Sequence, residues 1–421
     1  MRILFVAMTD SIHTARWINQ LNALGWDIHL FPVDLVEKVG LHPGLKEATV
    51  HHVLNGEAAR VPFFTHRLDG WHASVREVDD FWPFLGRSWP LPRGSSRARQ
   101  FLQRWIPEWK ELGWHLAQTI RKLQPDIIHS LEFQHGAYLV LEARSYLDRN
   151  LPTWIVTNWG SDIYLFGRLK EHVEKIKAVL SACDYYVCEC QRDVGLARAF
   201  GFKGEILPLL PGAGGFDIER LRQLRQHGPT SARRVIVLKG YQSWYGRALV
   251  GLRAIEICAD LLKGYRTVIY GVYTPDVKIA AELLAQSTGI PIEIFPPCSN
   301  EEILRLHGKA RASIGVNISD AISLSLLEAM IMGSVPIQSN TGCANEWVRC
   351  GETGILVHPE DPDAVAKALR RALSDDALVD RAAEINARVT VERIDRSVVQ
   401  PQVIAMYERV FAQTTVERLN S

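Results

Sequence analysis

Two carboxylates bracket seven residues in the run Asp320-Ala-Ile-Ser-Leu-Ser-Leu-Leu-Glu328-Ala-Met-Ile-Met-Gly333. Ala312 to Asn317 reads as a short buried strand ahead of it, and Val335 to Ser339 as the next strand. The order is therefore strand, loop, helix, strand, with small polar residues where loop meets helix. N–H groups of a first helical turn have no intrahelical acceptor and sit at the positive end of the helix dipole, so they form an anion site. Ser323, Leu324 and Ser325 would supply those amides. An acid beside a bound phosphate is repelled by it, so Asp320 and Glu328 suit hydroxyls instead. Glu328 would lie about two turns from Asp320, judged by helix rise. Phosphates for the amides and hydroxyls for the acids are both present in a sugar joined to a nucleotide.

Further runs carry groups suited to the same ligand. Lys239-Gly-Tyr-Gln-Ser-Trp-Tyr-Gly246-Arg247 has glycines for tight turns and a cation at each end. An Arg fork binds phosphate oxygens bidentately and keeps its charge; Arg247 and Lys239, with Gly240 between them, are expected to flank a diphosphate. Phe295-Pro296-Pro-Cys298 follows a strand and precedes a helix, where Pro-Pro reads as a turn. Near the start, Thr9, Ser11 and Thr14 offer caps for a first helix, and His13 stands among them. His129 closes a strand before Glu132 and His135. Asp162 in Asn158-Trp-Gly-Ser-Asp162 suits a ligand-facing carboxylate or a helix cap. The string Asp361-Pro-Asp363 precedes Ala364-Val-Ala-Lys, which makes Asp363 an N-cap rather than a metal ligand. No metal is expected. The chain also lacks the G-x-G-x-x-G of dinucleotide binders, a P-loop and a zinc set.

Alternating apolar strands and amphipathic helices must position these groups, which is the mark of parallel α/β layers. A chain of 421 residues exceeds the size at which one core keeps growing, so two domains are expected. Strands are expected at Ile3 to Ala7, Asp27 to Phe31, Asp126 to Ser130, Thr153 to Thr157, Tyr185 to Glu189 and Glu205 to Leu207. Helices are expected at Thr14 to Leu24, Arg97 to Lys122, Gly136 to Leu147 and Glu171 to Ala182. The cluster Pro208-Leu-Leu-Pro-Gly-Ala-Gly-Gly215 marks a hinge. A second strand–helix series runs from Val235 to a helix over Asp363 to Ser374, and the tail from Val398 to Phe411 is helical by pattern. Two doubly wound units of this kind bind ligands at the carboxyl ends of their strands.

Composition excludes several classes. A formal net charge of +1 gives no global attraction to nucleic acid. No apolar run approaches the roughly 20 residues of a membrane span, and the apolar start is too short for a secretory core. Seven cysteines without a secretory segment point to reduced thiols in a cytoplasmic protein. Residues 86–105 mix Trp with Arg around Pro90-Leu-Pro-Arg-Gly, a composition suited to peripheral contact with the anionic inner face of a membrane or to a mobile loop.

The acidic run, with Gln338-Ser-Asn-Thr-Gly342-Cys-Ala-Asn-Glu346-Trp and Gly351-Glu-Thr-Gly354-Ile-Leu-Val, resembles the E-x7-E region of retaining GT-B glycosyltransferases of the family 4 type. His13-Thr14-Ala-Arg16-Trp17 resembles the H-T-x-R-W start of many such enzymes. The chain departs from the pattern with Asp320 for Glu, Ala321 and Ser323 for Gly-x-Gly, Cys343 for Gly and Leu131 for His. The resemblance implies two Rossmann-like domains facing a central cleft, with a C-terminal helix crossing back to the first. It makes 1–215 with the tail 398–421 the acceptor side and 228–397 the nucleotide-sugar side. Asp320 would then contact the donor sugar, Glu328 the ribose, Arg247 the diphosphate, and the backbone near Phe295 and Pro296 the base. Ser11, His13 and Asp162 would face the acceptor. The implied reaction is retaining transfer of a hexose from a nucleotide sugar such as UDP-glucose or UDP-GlcNAc to a saccharide or lipid-linked saccharide, in polysaccharide synthesis, with no metal and no cofactor beyond the donor. The departures keep two alternatives open, a silent sugar-nucleotide-binding partner of an assembly complex and a GT-B epimerase or hydrolase.

Overall fold

The computed structural model describes residues 1–33, 40–52, 76–79, 112–147 and 151–420. The Arg/Trp-rich 86–105 segment lies outside the described residues, as do the first residues of the helix expected from Arg97. Contacts divide the chain into two compact units. The first holds Met1–Glu189, Asp193–Gly214 and Gln400–Ser421; the second holds Cys190–Arg192 and Gly215–Val399.

The first unit is built on β1 (Arg2–Ala7), β2 (Asp27–Pro32), β3 (Thr49–His52), β4 (Arg76–Asp79), β5 (Ile127–Leu131), β6 (Thr153–Thr157), β7 (Tyr185–Val187) and β8 (Glu205–Ile206). They form one sheet in the order β4-β3-β2-β1-β5-β6-β7-β8, with every pair parallel. The central strands are apolar without alternation because helices cover both faces. Ile3, Leu4, Phe5 and Val6 are all fully buried, as are Ile127 and Ile128. The chain leaves β1 toward β2 on one side and returns to its other side at β5, so the order reverses between β1 and β5.

The second unit has β9 (Val235–Lys239), β10 (Arg266–Tyr270), β11 (Ile292–Ile294), β12 (Ala312–Gly315), β13 (Val335–Ser339) and β14 (Ile355–Val357). Its sheet order is β11-β10-β9-β12-β13-β14, again all parallel, with the reversal between β9 and β12. Ala312 pairs with both Ile236 and Val335, which sets the register of the three central strands. Ligands of open α/β sheets bind outside the carboxyl ends of strands at such a reversal.

Several boundaries differ from expectation for identifiable reasons. The first helix runs Ile12–Asn19 rather than Thr14 to Leu24. It starts early because the Ser11 hydroxyl accepts from His13 N at 3.2 Å, and the chain turns away through Ala23 (φ 64°) and Gly25 (φ 70°). The helix expected from Gly136 to Leu147 is a π-helical turn, Phe133–Ala137, followed by an α-helix at Tyr138–Arg144. Asp361, not Asp363, caps the helix Pro362–Ser374, accepting from Ala364 N at 3.0 Å; Pro362 takes the first helical position, where its missing N–H costs nothing.

The expectation of reduced thiols fails at one pair. Cys190 and Cys343, 153 positions apart and both in the second unit, are joined as a disulfide. Two residues so far apart in sequence meet only through the fold, and no cysteine spacing announces the pairing. Cys188 is buried and outside any disulfide, as expected.

The last helix spans Arg396–Asn420, and its residues from Gln400 onward belong to the first unit. A buried chain of hydrogen bonds docks it there. Trp17 Nε1 donates to Tyr407 Oη at 2.8 Å, the Tyr407 hydroxyl lies 2.5 Å from His129 Nδ1, and His129 Nε2 lies 2.6 Å from Thr157 Oγ1. His129 is thus a structural group, and burial lowers its pKa to about 3. No helix among the described residues is long and apolar enough to cross a membrane.

Candidate functional site

In the second unit the chemistry gathers where β9 and β12 end. Gly315 closes β12, and a Cβ there would lie 2.6 Å from the Gln338 carboxamide oxygen, so glycine leaves room for that side chain. Asn317, two residues on, organises the loop that leads to the next helix. Its amide donates to Asp320 Oδ2 at 2.9 Å, its carbonyl accepts from Thr341 Oγ1 at 2.5 Å, and its Oδ1 accepts from the Ser339 hydroxyl. Asp320 is therefore held in place by its own loop. Asn317 was legible only as a polar residue ending an apolar strand.

The loop after β9 is laced to this strand end. Arg247 N donates to Val316 O at 3.0 Å, and Ile318 N to Tyr245 O at 2.8 Å. Gly246 bridges Asn317, and a Cβ on Gly246 would lie 2.3 Å from Tyr241 O. Lys239, Tyr241, Tyr245, Asn317, Ser323 and Gln338 line a small cavity there. The expected pair of cations is held within this loop. Arg247 donates from Nε to Glu360 Oε1 at 3.0 Å and from Nη1 to the carbonyls of Ser243 and Gly246 at 3.1 and 3.0 Å. Its guanidinium closes the loop and pairs an acid 113 positions away, which no local pattern announces. The Lys239 ammonium lies 4.4 Å from the Tyr241 ring centroid, a cation–π arrangement. Gly240 lies between Lys239 and Arg247, at the end of β9. Its N–H already donates to Tyr270 O at 2.7 Å, and a Cβ there would press on Val272 and Ile269, so it serves packing.

The helix Leu324–Met332 starts at Ser323, whose side chain makes no cap hydrogen bond. Ser323 O accepts from Leu326 N and Leu327 N at 3.0 and 3.2 Å. The amides of Leu324 and Ser325 occupy the first positions, which have no intrahelical acceptor. Ser323 Oγ and Ser325 Oγ lie 2.8 Å apart. Glu328, 3% exposed, accepts from Asn300 Nδ2 at 2.6 Å. A buried carboxylate without a partner is costly, so Asn300 keeps Glu328 oriented. Asn300 follows Ser299, whose reciprocal bonds with Glu302 form a capping box at the start of its helix. Ser-x-x-Glu is the sequence signature of that helix start, but nothing in it pointed to Glu328. Phe295 is part-buried against Val237 and Tyr270, whereas Pro296 is exposed. Phe295 N donates to Ile269 O at 2.8 Å and so extends the sheet.

In the first unit, the groups expected on the acceptor side collect at the ends of β1, β5 and β6. Ser11 caps the first helix, and the His13 ring packs 5.3 Å from that of Trp159. Asp162 Oδ2 accepts from Trp159 N at 2.9 Å and from Phe133 N at 3.1 Å, tying two loops together. Burial, and after it the charge of Glu132, push its pKa well above the usual carboxylate range. Glu132, also buried, has φ 71° and ψ 161°, a region nearly confined to glycine. Its carboxylate holds the π-turn by accepting from His135 N at 2.7 Å and Gly136 N at 2.6 Å. A Cβ on Gly136 would lie 2.7 Å from Val6 O, so the turn packs hard on β1.

The chain and its two-sheet architecture resemble known proteins. A family model described as glycosyl transferases group 1 matches residues 226–389, and one described as glycosyl transferase 4-like matches residues 108–188. A D-inositol 3-phosphate glycosyltransferase from a Nocardioides species is 33% identical over 99 residues, 24% of this chain and 22% of that protein. A phosphatidyl-myo-inositol mannosyltransferase from Mycobacterium leprae is 35% identical over 91 residues, 22% of this chain and 24% of that one. The matched stretches thus span about a quarter of these curated relatives. Among solved structures, sucrose-phosphate synthase from Thermosynechococcus elongatus superposes with a TM-score of 0.68 at 16% identity, covering 98% of this chain and 100% of that one. Anabaena HepE in complex with UDP-glucose does so with a TM-score of 0.63 at 13% identity, covering 97% and 100%. The architecture is the GT-B fold. The chain belongs to the glycosyltransferases of the family 4 type.

Proposed function

We propose that the protein is a retaining glycosyltransferase that moves a hexose from a nucleotide sugar, taken to be a UDP-sugar, to a saccharide or lipid-linked saccharide. The observation that carries this reading is Glu328, a buried carboxylate oriented by Asn300 on the helix that starts at Ser323, three residues after Asp320. The acid pair offers hydroxyl acceptors and the helix start offers phosphate donors, on one strand–loop–helix segment. HepE, a fold neighbour, was solved with UDP-glucose bound, which supports the donor class.

In this reading Glu328 takes the ribose hydroxyls and Asp320 orients the sugar. The Leu324 and Ser325 amides, with Arg247 and Lys239, stabilise charge that builds on the diphosphate as the bond from sugar carbon to phosphate oxygen breaks. The acceptor hydroxyl attacks from the face the phosphate leaves, and the departing diphosphate takes its proton. No metal and no separate general base are invoked. Ser11, His13 and Asp162 serve the acceptor.

Calorimetry with UDP, UDP-glucose and UDP-GlcNAc tests the donor claim, and UDP release with and without acceptor tests the reaction. Glu328→Ala is expected to weaken UDP itself, whereas Asp320→Ala chiefly lowers turnover. Equal UDP release without acceptor identifies a hydrolase or epimerase, and binding without release identifies a silent partner. Absence of UDP binding overturns the reading.

A further inference from the structure

The short segment Cys190–Arg192 belongs to the second unit, and the reaction as described uses none of it. It is fixed there by a covalent link, the Cys190–Cys343 disulfide, whose two residues are buried. It is also fixed by Glu346, whose carboxylate accepts from Gln191 N at 2.9 and 3.2 Å and from Arg192 N at 3.4 Å. The Arg192 side chain then reaches two carbonyls. Its Nη2 donates to Asp320 O at 3.0 Å and its Nη1 to Thr341 O at 3.3 Å. One guanidinium thus joins the loop after β12 to the loop after β13.

Those two loops already press on one another. Cys343 N donates to Ala321 O at 2.7 Å. A Cβ on Gly342 would stand 3.1 Å from Ala321 O and 3.3 Å from Asp320 Cβ, so the second loop lies directly against the residue that carries the acid. Asp320 is consequently held twice. Asn317 takes its carboxylate at 2.9 Å, and Arg192 takes its main-chain carbonyl. The two holds differ in kind. Asn317 is three residues away and moves with the loop, whereas Arg192 is 128 positions away and fixes the loop from outside it. A hydrogen bond from a charged donor is also roughly twice as strong as one between neutral groups.

We propose that Arg192 is a positioning residue for Asp320, with the Cys190–Cys343 disulfide as the anchor that keeps its fork on the two carbonyls. This rests on the reading of Asp320 as the acid that orients the donor sugar, and it adds a residue that no motif of the chain announced. Arg192 acts through the main chain from which that carboxylate projects. A misplacement of about 1 Å at a reacting centre costs up to about a hundredfold in rate. UDP affinity, in contrast, rests in this reading on the helix amides and on Glu328, which Asn300 orients.

UDP release from UDP-glucose and UDP-GlcNAc is followed with water and with a panel of mono- and disaccharides as acceptors, beside calorimetry with UDP and a thermal melt. The proteins are wild type, Asp320→Ala, Arg192→Ala, Arg192→Lys, Cys190→Ser and the double variant Arg192→Ala/Cys190→Ser. Arg192→Ala should lower kcat roughly ten- to a hundredfold and keep UDP affinity within about twofold of wild type. Arg192→Lys should fall between the two, because an ammonium can reach one carbonyl where the fork reaches both. Cys190→Ser should lower kcat in wild type and add little once Arg192 is alanine, since both changes remove one brace. Thiols counted on unfolded wild type should number five. All seven reactive would overturn the anchor, as would a Cys190→Ser loss of equal size in both backgrounds. Arg192→Ala with wild-type kcat, beside an impaired Asp320→Ala, overturns the positioning role and leaves the donor reading standing. So does a loss of UDP affinity as large as the loss in kcat, which would make Arg192 a ligand contact or a fold-wide prop. Wild type that binds no UDP, or binds it without releasing it from either donor, overturns the transfer reading and the positioning role together.

Discussion

Replacing Glu360 by Gln should tighten UDP binding. In the structure Arg247 Nε donates to Glu360 at 3.0 Å, with the two side chains 21% and 55% exposed. If Arg247 serves the diphosphate, its fork must give up this carboxylate when the ligand arrives. A pair this exposed contributes roughly 0.2–1 kcal/mol after side-chain entropy and solvent screening. Glutamine preserves the shape and removes the charge, so UDP should bind about 1.4- to 5-fold more tightly. The gain should shrink as salt screens the pair in wild type. Arg247→Ala removes a charge-assisted bond to phosphate and should weaken UDP by about 10- to 150-fold. Calorimetry on wild type, both single variants and the double variant closes the cycle, and the Glu360→Gln gain should vanish without Arg247. The reasoning is refuted if Arg247→Ala keeps the wild-type affinity, or if Glu360→Gln tightens UDP equally in the Arg247→Ala background. Arg247 would then be a loop-closing group alone.

Two further outcomes concern the first unit. Tyr407→Phe strands Trp17 Nε1 and His129 Nδ1 in the interior; unfolding in denaturant should show a loss of about 1–3 kcal/mol, and an unchanged midpoint would remove the docking role of this network. Asp162 holds its proton more tightly folded than unfolded, so its own contribution to stability is fullest below about pH 4 and is lost as pH rises through its raised native pKa. Asp162→Asn escapes that loss and can still accept from Trp159 and Phe133, so its stability advantage over wild type should widen from pH 5 to pH 8 by more than about 1 kcal/mol; an advantage constant with pH would refute the raised pKa.

Much of the proposed donor segment could be read from the chain as strand, loop and helix because these elements are local. Asp320, the helix start at Ser323 and Glu328 lie within one strand–loop–helix unit, and hydrophobic period, small polar residues and the closing Gly333 specify it almost without help from elsewhere. The parallel α/β class was legible for the same reason, since apolar runs and amphipathic stretches alternate whatever their final neighbours. Helix ends were harder to read. At Asn19 and at Phe133–Ala137 the outcome turned on left-handed residues and on a buried Glu132 whose backbone strain no propensity announces.

Partners were beyond the sequence. Glu360 beside Arg247, Asn300 beside Glu328, Cys343 joined to Cys190 and Tyr407 between Trp17 and His129 are all separated by 28 to 390 positions. Each pairing depends on strand order, and a parallel strand can lie on either side of its predecessor with the same local pattern. By itself the sequence determined which residues could meet phosphates and hydroxyls, because donor amides and acids are properties of a helix start and a side chain. Only the tertiary structure decided what else competes for them, because β9 and β12 had to become neighbours before Arg247 could be laced to Val316.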